Sequence, residues 1–265
     1  MLRVTNTKNL TGVTILGDYN DLEQLVQALH EITVSDYSDD LNKRSQRYIN
    51  ISLRVLGVCY DIRHASQGDR ETFAEPNMLQ DYKQPVDENG DPLRTLPNNN
   101  VGYSCNVLYP EMILVTMALN DLVKHRMVRL AKSSYGFEAP LDKAVVWDRT
   151  IITVRMFQSA FLEAISQVLT GPALTRWLNI VHNHRTDVAT ITHPFVETWN
   201  LRYLDMNREQ RAKKLNTITK RFAEHLWDEE DRKYRRAIDQ AMQEYQCAEG
   251  DLRTTGLDYP EEIEW

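Results

Sequence analysis

Apolar and polar positions alternate at the start of the chain and then settle into a helical period. Leu2 and Val4 alternate, Asn6-Thr7-Lys8-Asn9 supplies turn chemistry, and Val13 and Ile15 alternate again before Gly17, which predicts a β-hairpin. Leu22, Leu25, Val26 and Leu29 then mark one helical face, with Asn20 placed to cap it and Glu23 at the capping-box spacing. Residues 35–40 read as a polar connector. From 40 to 66 two periods compete. Ile49, Ile51, Leu53 and Val55 alternate like a strand, whereas Tyr48, Ile51, Val55, Val58, Cys59 and Ile62 form a helical stripe over four turns. The longer match favours helix, although Gly57 costs about 1 kcal/mol in a helix interior.

Residues 67–102 break the pattern. Pro76, Pro85, Pro92 and Pro97 lie here, with turn chemistry at Asn89-Gly90-Asp91-Pro92 and Asn98-Asn99-Asn100. A loop this long is functional or mobile, and 76–100 is expected to be the most mobile stretch. Its ends, Glu71 to Phe73 and Gly102 to Val107, are expected to pair as strands. Beyond it everything reads helical. Pro110 and Glu111 suit a first turn ahead of Met112, Val115, Leu119, Leu122 and Val123. Lys132 to Ala144 reads as a linker. Asp148 caps a stripe of Ile151, Val154, Phe161, Ile165 and Val168. Thr170-Gly171-Pro172 separates it from a helix carrying Leu174, Trp177, Leu178 and Val181. Pro194 opens a helix with Phe195 and Trp199, and Asn207 with Gln210 forms a second capping box ahead of Leu215, Ile218 and Phe222. A final helix carries Tyr234, Ile238, Met242 and Tyr245, with Gly250 as its C-cap.

The expectation is an α+β fold, predominantly helical. It has a small antiparallel β-sheet, an N-terminal hairpin plus short strands, and about seven or eight helices. Residues 1–265 read as a single compact domain with a candidate seam at 133–145.

Composition agrees with a globular chain: 265 residues, 42% apolar and 26% charged. This excludes collagen-like and wholly disordered chains. The net charge of −7 resides entirely in residues 221–265, with 13 acidic and 6 basic residues, while the rest balances. That balance argues against a nucleic-acid partner, which calls for a basic surface. Cys59, Cys105 and Cys247 are too few and too scattered for a disulfide framework or a zinc site, so three free thiols are expected. The opening Met1-Leu2-Arg3-Val4-Thr5-Asn6 lacks a signal-peptide core, and the longest apolar stretch, Met112 to Leu119, is too short to span a bilayer. A cytoplasmic location without a membrane partner is expected.

No P-loop, dinucleotide fingerprint, nucleophile elbow, HExxH or EF-hand pattern occurs, so no cofactor is expected. The densest polar cluster runs from Tyr60 to Glu71. Tyr60, Arg63, His64, Asp69 and Arg70 offer a general base beside an anion clamp, where a helix gives way to a loop. The competing reading, a solvated helix end with ion pairs, has more in its favour because Arg63 and His64 suit a C-terminal dipole. Asn106, just ahead of a helix start, either helps hold an anion or simply caps that helix, and capping is the commoner use. His182-Asn183-His184, with Asp187 and His193, matches no metal-ligand spacing, so no metal is expected. The basic run Arg202, Arg208, Arg211, Lys213, Lys214, Lys220 and Arg221 reads as a solvated face interleaved with Asp205 and Glu209. The ending Tyr259-Pro260-Glu261-Glu262-Ile263-Glu264-Trp265 sets Tyr259, Ile263 and Trp265 to dock on the body near Arg63 and Arg70, with a disordered acidic tail as the alternative.

Several segments resemble an uncharacterised bacterial family, a domain of unknown function. They are Asn9 to Tyr19, Leu53 to His64, Gln67-Gly68-Asp69-Arg70, Met117 to Asp121 and Tyr259 to Trp265. The resemblance covers nearly the whole chain, with 76–100 as a local departure. It implies a bacterial cytoplasmic protein and carries over no activity and no catalytic residue. Two function classes stay open. One is a non-enzymatic binding or interaction protein of unknown partner, with a homo-oligomer allowed. The other is an enzyme of unrecognised type acting on a small anionic ligand through Arg63, His64, Asp69 and Arg70.

Overall fold

The computed structural model describes residues 1–34, 47–77, 79, 86–90, 97, 99–131, 142–182, 188, 193–224, 229–247, 252 and 259–265. Four strands form one antiparallel sheet in the order β1-β2-β4-β3: β1 Arg3–Asn6, β2 Gly12–Gly17, β3 Glu71–Pro76 and β4 Asn99–Leu108. The N-terminal hairpin follows its alternation, with Val4 opposite Ile15. The two ends of the long excursion pair with each other, Phe73 opposite Gly102. Strand β4 then joins the hairpin through Ile15 opposite Cys105. This register places Val4, Val13, Ile15, Cys105 and Val107 together among the buried residues, and a one-residue slip would turn all of them outward. Most of 76–100 lies outside the described residues.

Nine helices accompany the sheet among the described residues: α1 Tyr19–Ile32, α2 Ile49–Ser66, α3 Tyr109–Leu130, α4 Lys143–Val146, α5 Arg149–Ser166, α6 Gly171–His182, α7 His193–Leu204, α8 Arg208–Glu224 and α9 Glu229–Tyr245. The architecture is α+β and predominantly helical. No described helix is long and apolar enough to cross a membrane. Helix α1 starts earlier than Asn20 suggests. Asp18 is its cap, accepting from the Asp21 amide at 2.8 Å while the Asp21 side chain accepts from the Asp18 amide at 3.2 Å. Asp18 closes this reciprocal pair from extended backbone, the conformation a cap requires, while Asn20 already lies inside the helix. The competition over 40–66 resolves as helix α2, whose stripe Ile51, Val55, Val58, Cys59 and Ile62 is buried; residues 40–46 lie outside the described ones. Gly68, at φ +85°, closes α2. Its amide donates to Ala65 and that of Asp69 to His64, both at 2.9 Å, the paired bonds of a Schellman turn.

Helix α3 is the centre of the core. Every residue from Met112 to Leu119 is buried, a helix apolar nearly all round and therefore enclosed. At its start Tyr109 meets Phe161 and Tyr203 at 6.5 and 6.4 Å between ring centroids. Asn106 does not cap α3. It lies within β4, where its side chain accepts from Thr14 Oγ1 at 2.7 Å, and the N-cap is Leu108, which makes no side-chain cap bond. Asp148 caps α5 as expected, and Asn207 and Gln210 bond each other's amides ahead of α8. Residues 132–141 of the expected linker are outside the described residues, and its end, Lys143 and Ala144, is helical, because Asp142 caps α4. Of the final stripe, Ile238 is buried and Tyr245 exposed, and Gly250 lies outside the described residues.

Arg211 corrects the solvated-face reading of the basic run. It is 7% exposed. Its guanidinium donates to the carbonyls of Tyr203, Leu204 and Asn9 and, at 2.7 Å, to the Thr11 hydroxyl. Thr11 in turn donates to the Glu264 carbonyl. One planar fork thus ties the hairpin turn to the α7–α8 corner and, through Thr11, to the C-terminal segment.

Candidate functional site

A cleft of about 650 Å³ opens beside the end of the sheet. Helix α2 forms one wall with Arg54, Gly57, Val58 and Asp61, and the end of β4 with the start of α3 forms another through Ser104 to Leu108 and Glu111. Helix α7 contributes Glu197 and Asn200, and the C-terminal segment contributes Tyr259, Ile263 and Trp265. The α2 residues converge because 54, 57, 58 and 61 recur at helical spacing on one face. The β4 wall exists because β3 stops short. Its first residue, Glu71, is opposite Ser104, so from Cys105 to Leu108 the far edge of β4 has no strand partner among the described residues.

Arg54 organises the floor. Its Nε and Nη2 grip both oxygens of Glu111, the first at 3.0 Å, and its Nη1 donates to Glu197. Asn200 Nδ2 donates to Glu111 at 3.2 Å and to the Tyr259 hydroxyl at 3.1 Å, and that hydroxyl donates to Glu197. The three charged side chains are 13 to 14% exposed. Burial on its own lowers the Arg54 pKa, and the two carboxylates outweigh it and hold the guanidinium more firmly protonated. Burial, then the adjacent Glu197, pushes the Tyr259 hydroxyl well above its ordinary value, so it remains a donor. Asn200 is 3% exposed, and its Oδ1 is buried without a hydrogen-bond partner among the described residues. At the rim Arg70 pairs with Asp61 at 2.9 Å. Cys105 is inert as a nucleophile, because burial pushes its thiol up to about 12.

The structure separates the residues singled out by sequence. Arg70 and Asn106 line the cleft. His64 Nδ1 meets the Asp69 carboxylate at 2.9 Å, and Tyr60, 58% exposed, packs its ring on His64 with centroids 4.1 Å apart. None of those three lines the cleft, and Arg63 faces a shallow groove on the other side of α2 with Glu23 and His30. His182 ends α6 and His193 opens α7, while His184 and Asp187 lie outside the described residues. The C-terminal aromatics lie at the cleft beside Arg70, Ile263 and Trp265 half-buried and Glu261, Glu262 and Glu264 exposed. The sequence pattern does not mark Arg54, Glu197 or Asn200 as site residues, and it marks Glu111 as the acid of a first helical turn. The available signal was Arg54 itself, a charge one heptad before Asp61 on a face interrupted by glycine.

A family model described as a domain of unknown function (DUF6904) matches residues 2–265. No curated protein and no solved structure matches the chain. The chain belongs to the DUF6904 family.

Proposed function

We propose that this member of the DUF6904 family is a non-enzymatic cytoplasmic binding protein, and that its ligand occupies the cleft between α2, the open end of β4 and α7. The observation that carries this reading is Gly57. It sits mid-helix, where glycine is unfavourable, and beyond the helix's own backbone a Cβ built there meets no atom of the described residues within 4 Å. Packing therefore does not require a glycine, whereas a ligand lying against the helix backbone would. The polar groups below it favour binding over catalysis. Glu111 and Glu197 are both engaged by Arg54, and Asp61 by Arg70, so each of these carboxylates is held in place by a guanidinium. The alternative, an enzyme gripping a small anion through Arg63, His64, Asp69 and Arg70, has only Arg70 in the cleft, among four carboxylates. Buried thiols at Cys59 and Cys105 suit a reducing compartment.

The test compares the native protein with Gly57→Leu, which fills the wall with a good helix former. Both are incubated with the low-molecular-mass fraction of a cell extract and read by native mass spectrometry. A bound mass on the native protein that is lost in Gly57→Leu is expected. Identical spectra would overturn the reading.

A further inference from the structure

The geometry points to a short extended peptide with basic side chains as the occupant of this cleft, added as a strand to the open end of β4; the inference rests on the cleft being a binding site. Main-chain parity places the recognition groups. The Tyr109 amide donates to the Thr11 carbonyl, and the Gly12 carbonyl accepts from the Thr7 amide on the β1 side. Alternation along an antiparallel pair then turns the main-chain groups of Cys105 and Val107 toward β2 and those of Asn106 away from it. Where β3 would take them it has already ended, at Glu71 opposite Ser104. The Asn106 amide and carbonyl therefore form a donor–acceptor pair on the cleft side, without a bond among the described residues. This is the unit that strand addition uses.

Three other features fit the same occupant. Gly57, across the cleft, leaves open space where a peptide backbone can approach the helix. The described lining carries the carboxylates of Asp61, Glu71, Glu111 and Glu197 against the guanidiniums of Arg54 and Arg70, a surplus of negative charge that selects basic side chains. Asn200 adds an acceptor that receives no hydrogen bond among the described residues, in a side chain 3% exposed at the cleft floor. Ile263 and Trp265 supply the apolar wall for the alternate side chains.

The probe is acetyl-Val-Lys-Val-Arg-amide, titrated by calorimetry and by amide NMR of the full chain. Two analogues accompany it, one with glutamates replacing the basic residues and one N-methylated at each lysine and valine nitrogen. Charge reversal and N-methylation are each expected to weaken binding by about tenfold or more. The Asn106 amide resonance should shift on binding, and Gly57→Leu should abolish it. Equal binding of the acidic peptide, indifference to N-methylation, no binding of the basic probe, or an unmoved Asn106 amide would each overturn the peptide assignment. If benzylamine or another small molecule instead occupied the cleft in a Gly57→Leu-sensitive way, the binding reading would stand and the peptide would fall.

Discussion

Gly57→Ala is expected to stabilise the free protein, an unusual sign for a core-domain substitution. Gly57 is the ninth of the eighteen residues of α2, so the helix constrains its backbone fully. Replacing glycine by alanine in such a position gains about 1 kcal/mol, from the smaller backbone entropy of the unfolded chain. Two corrections vanish here. The new Cβ meets nothing within 4 Å, so no strain is added, and no apolar surface is buried, so no packing is gained. For a chain of 265 residues the unfolding entropy is about 0.5 kcal/mol per kelvin, which turns the gain into a rise of about 2 °C. Gly68→Ala is the internal control. Its φ of +85° forces a side chain into the left-handed region, which costs about 1 kcal/mol and lowers Tm by about 2 °C. Calorimetry of the two variants beside the native protein measures both. A fall in Tm for Gly57→Ala would mean that the cleft wall is closed at this position in solution. The account of Gly57 as a residue kept for a ligand would then fail.

Further expectations concern the groups that hold the site in place. Arg211→Lys should destabilise almost as much as Arg211→Met, by about 3 kcal/mol, because an ammonium cannot reproduce four fork-directed bonds; full retention of Tm by lysine in thermal melts would refute the staple. Thiol titration without reductant should find three free groups in denaturant, with Cys247 reacting first in the native state and Cys59 and Cys105, both raised to about 12 by burial, reacting only on unfolding; a single free thiol in denaturant would contradict it. Burial works against the Asp148 carboxylate, but the Arg126 guanidinium and the Ile151 amide outweigh it and hold the group below its ordinary value of 3.8. Its stabilisation is therefore complete above that value and lost as pH falls through the lowered one. Asp148→Asn should cost about 1 kcal/mol near neutrality, with the difference from the native protein shrinking on acidification below about pH 4; a difference independent of pH would refute the linkage.

Much of the fold was legible because local chemistry and tertiary packing agree. The hairpin's alternation, the stripes of α1, α3 and α5 and the capping box before α8 each state locally what the core then buries. The misses share a cause. Asn20 and Asp18 are both good caps, and only the reciprocal bond with Asp21 decides between them. Asn106 has the right residue type and place for a cap, yet β4 runs two residues further, so the asparagine is spent on a cross-strand bond to Thr14. Arg211 looks like its solvated neighbours because the carbonyls it binds are main-chain atoms, and main-chain atoms leave no mark in side-chain composition.

The cleft was hidden for a stronger reason. Its floor joins Arg54, Glu111, the α7 pair Glu197 and Asn200, and Tyr259, which come from four separate stretches of the chain, and none belongs to a recognised motif. A local cluster such as Tyr60 to Glu71 attracts attention because its charges are adjacent, but neighbouring helix positions point in different directions. Arg63 and the His64–Asp69 pair are accordingly sent away from Arg70, which alone among them reaches the cleft. What survives as a signal is the mismatch between propensity and position. A glycine in mid-helix, one turn from an arginine and one turn from an aspartate, violates a local rule without a packing reason. Such violations persist where function offsets their cost, and on the proposed binding reading Gly57, rather than the charged run beside it, is the residue that marks the cleft.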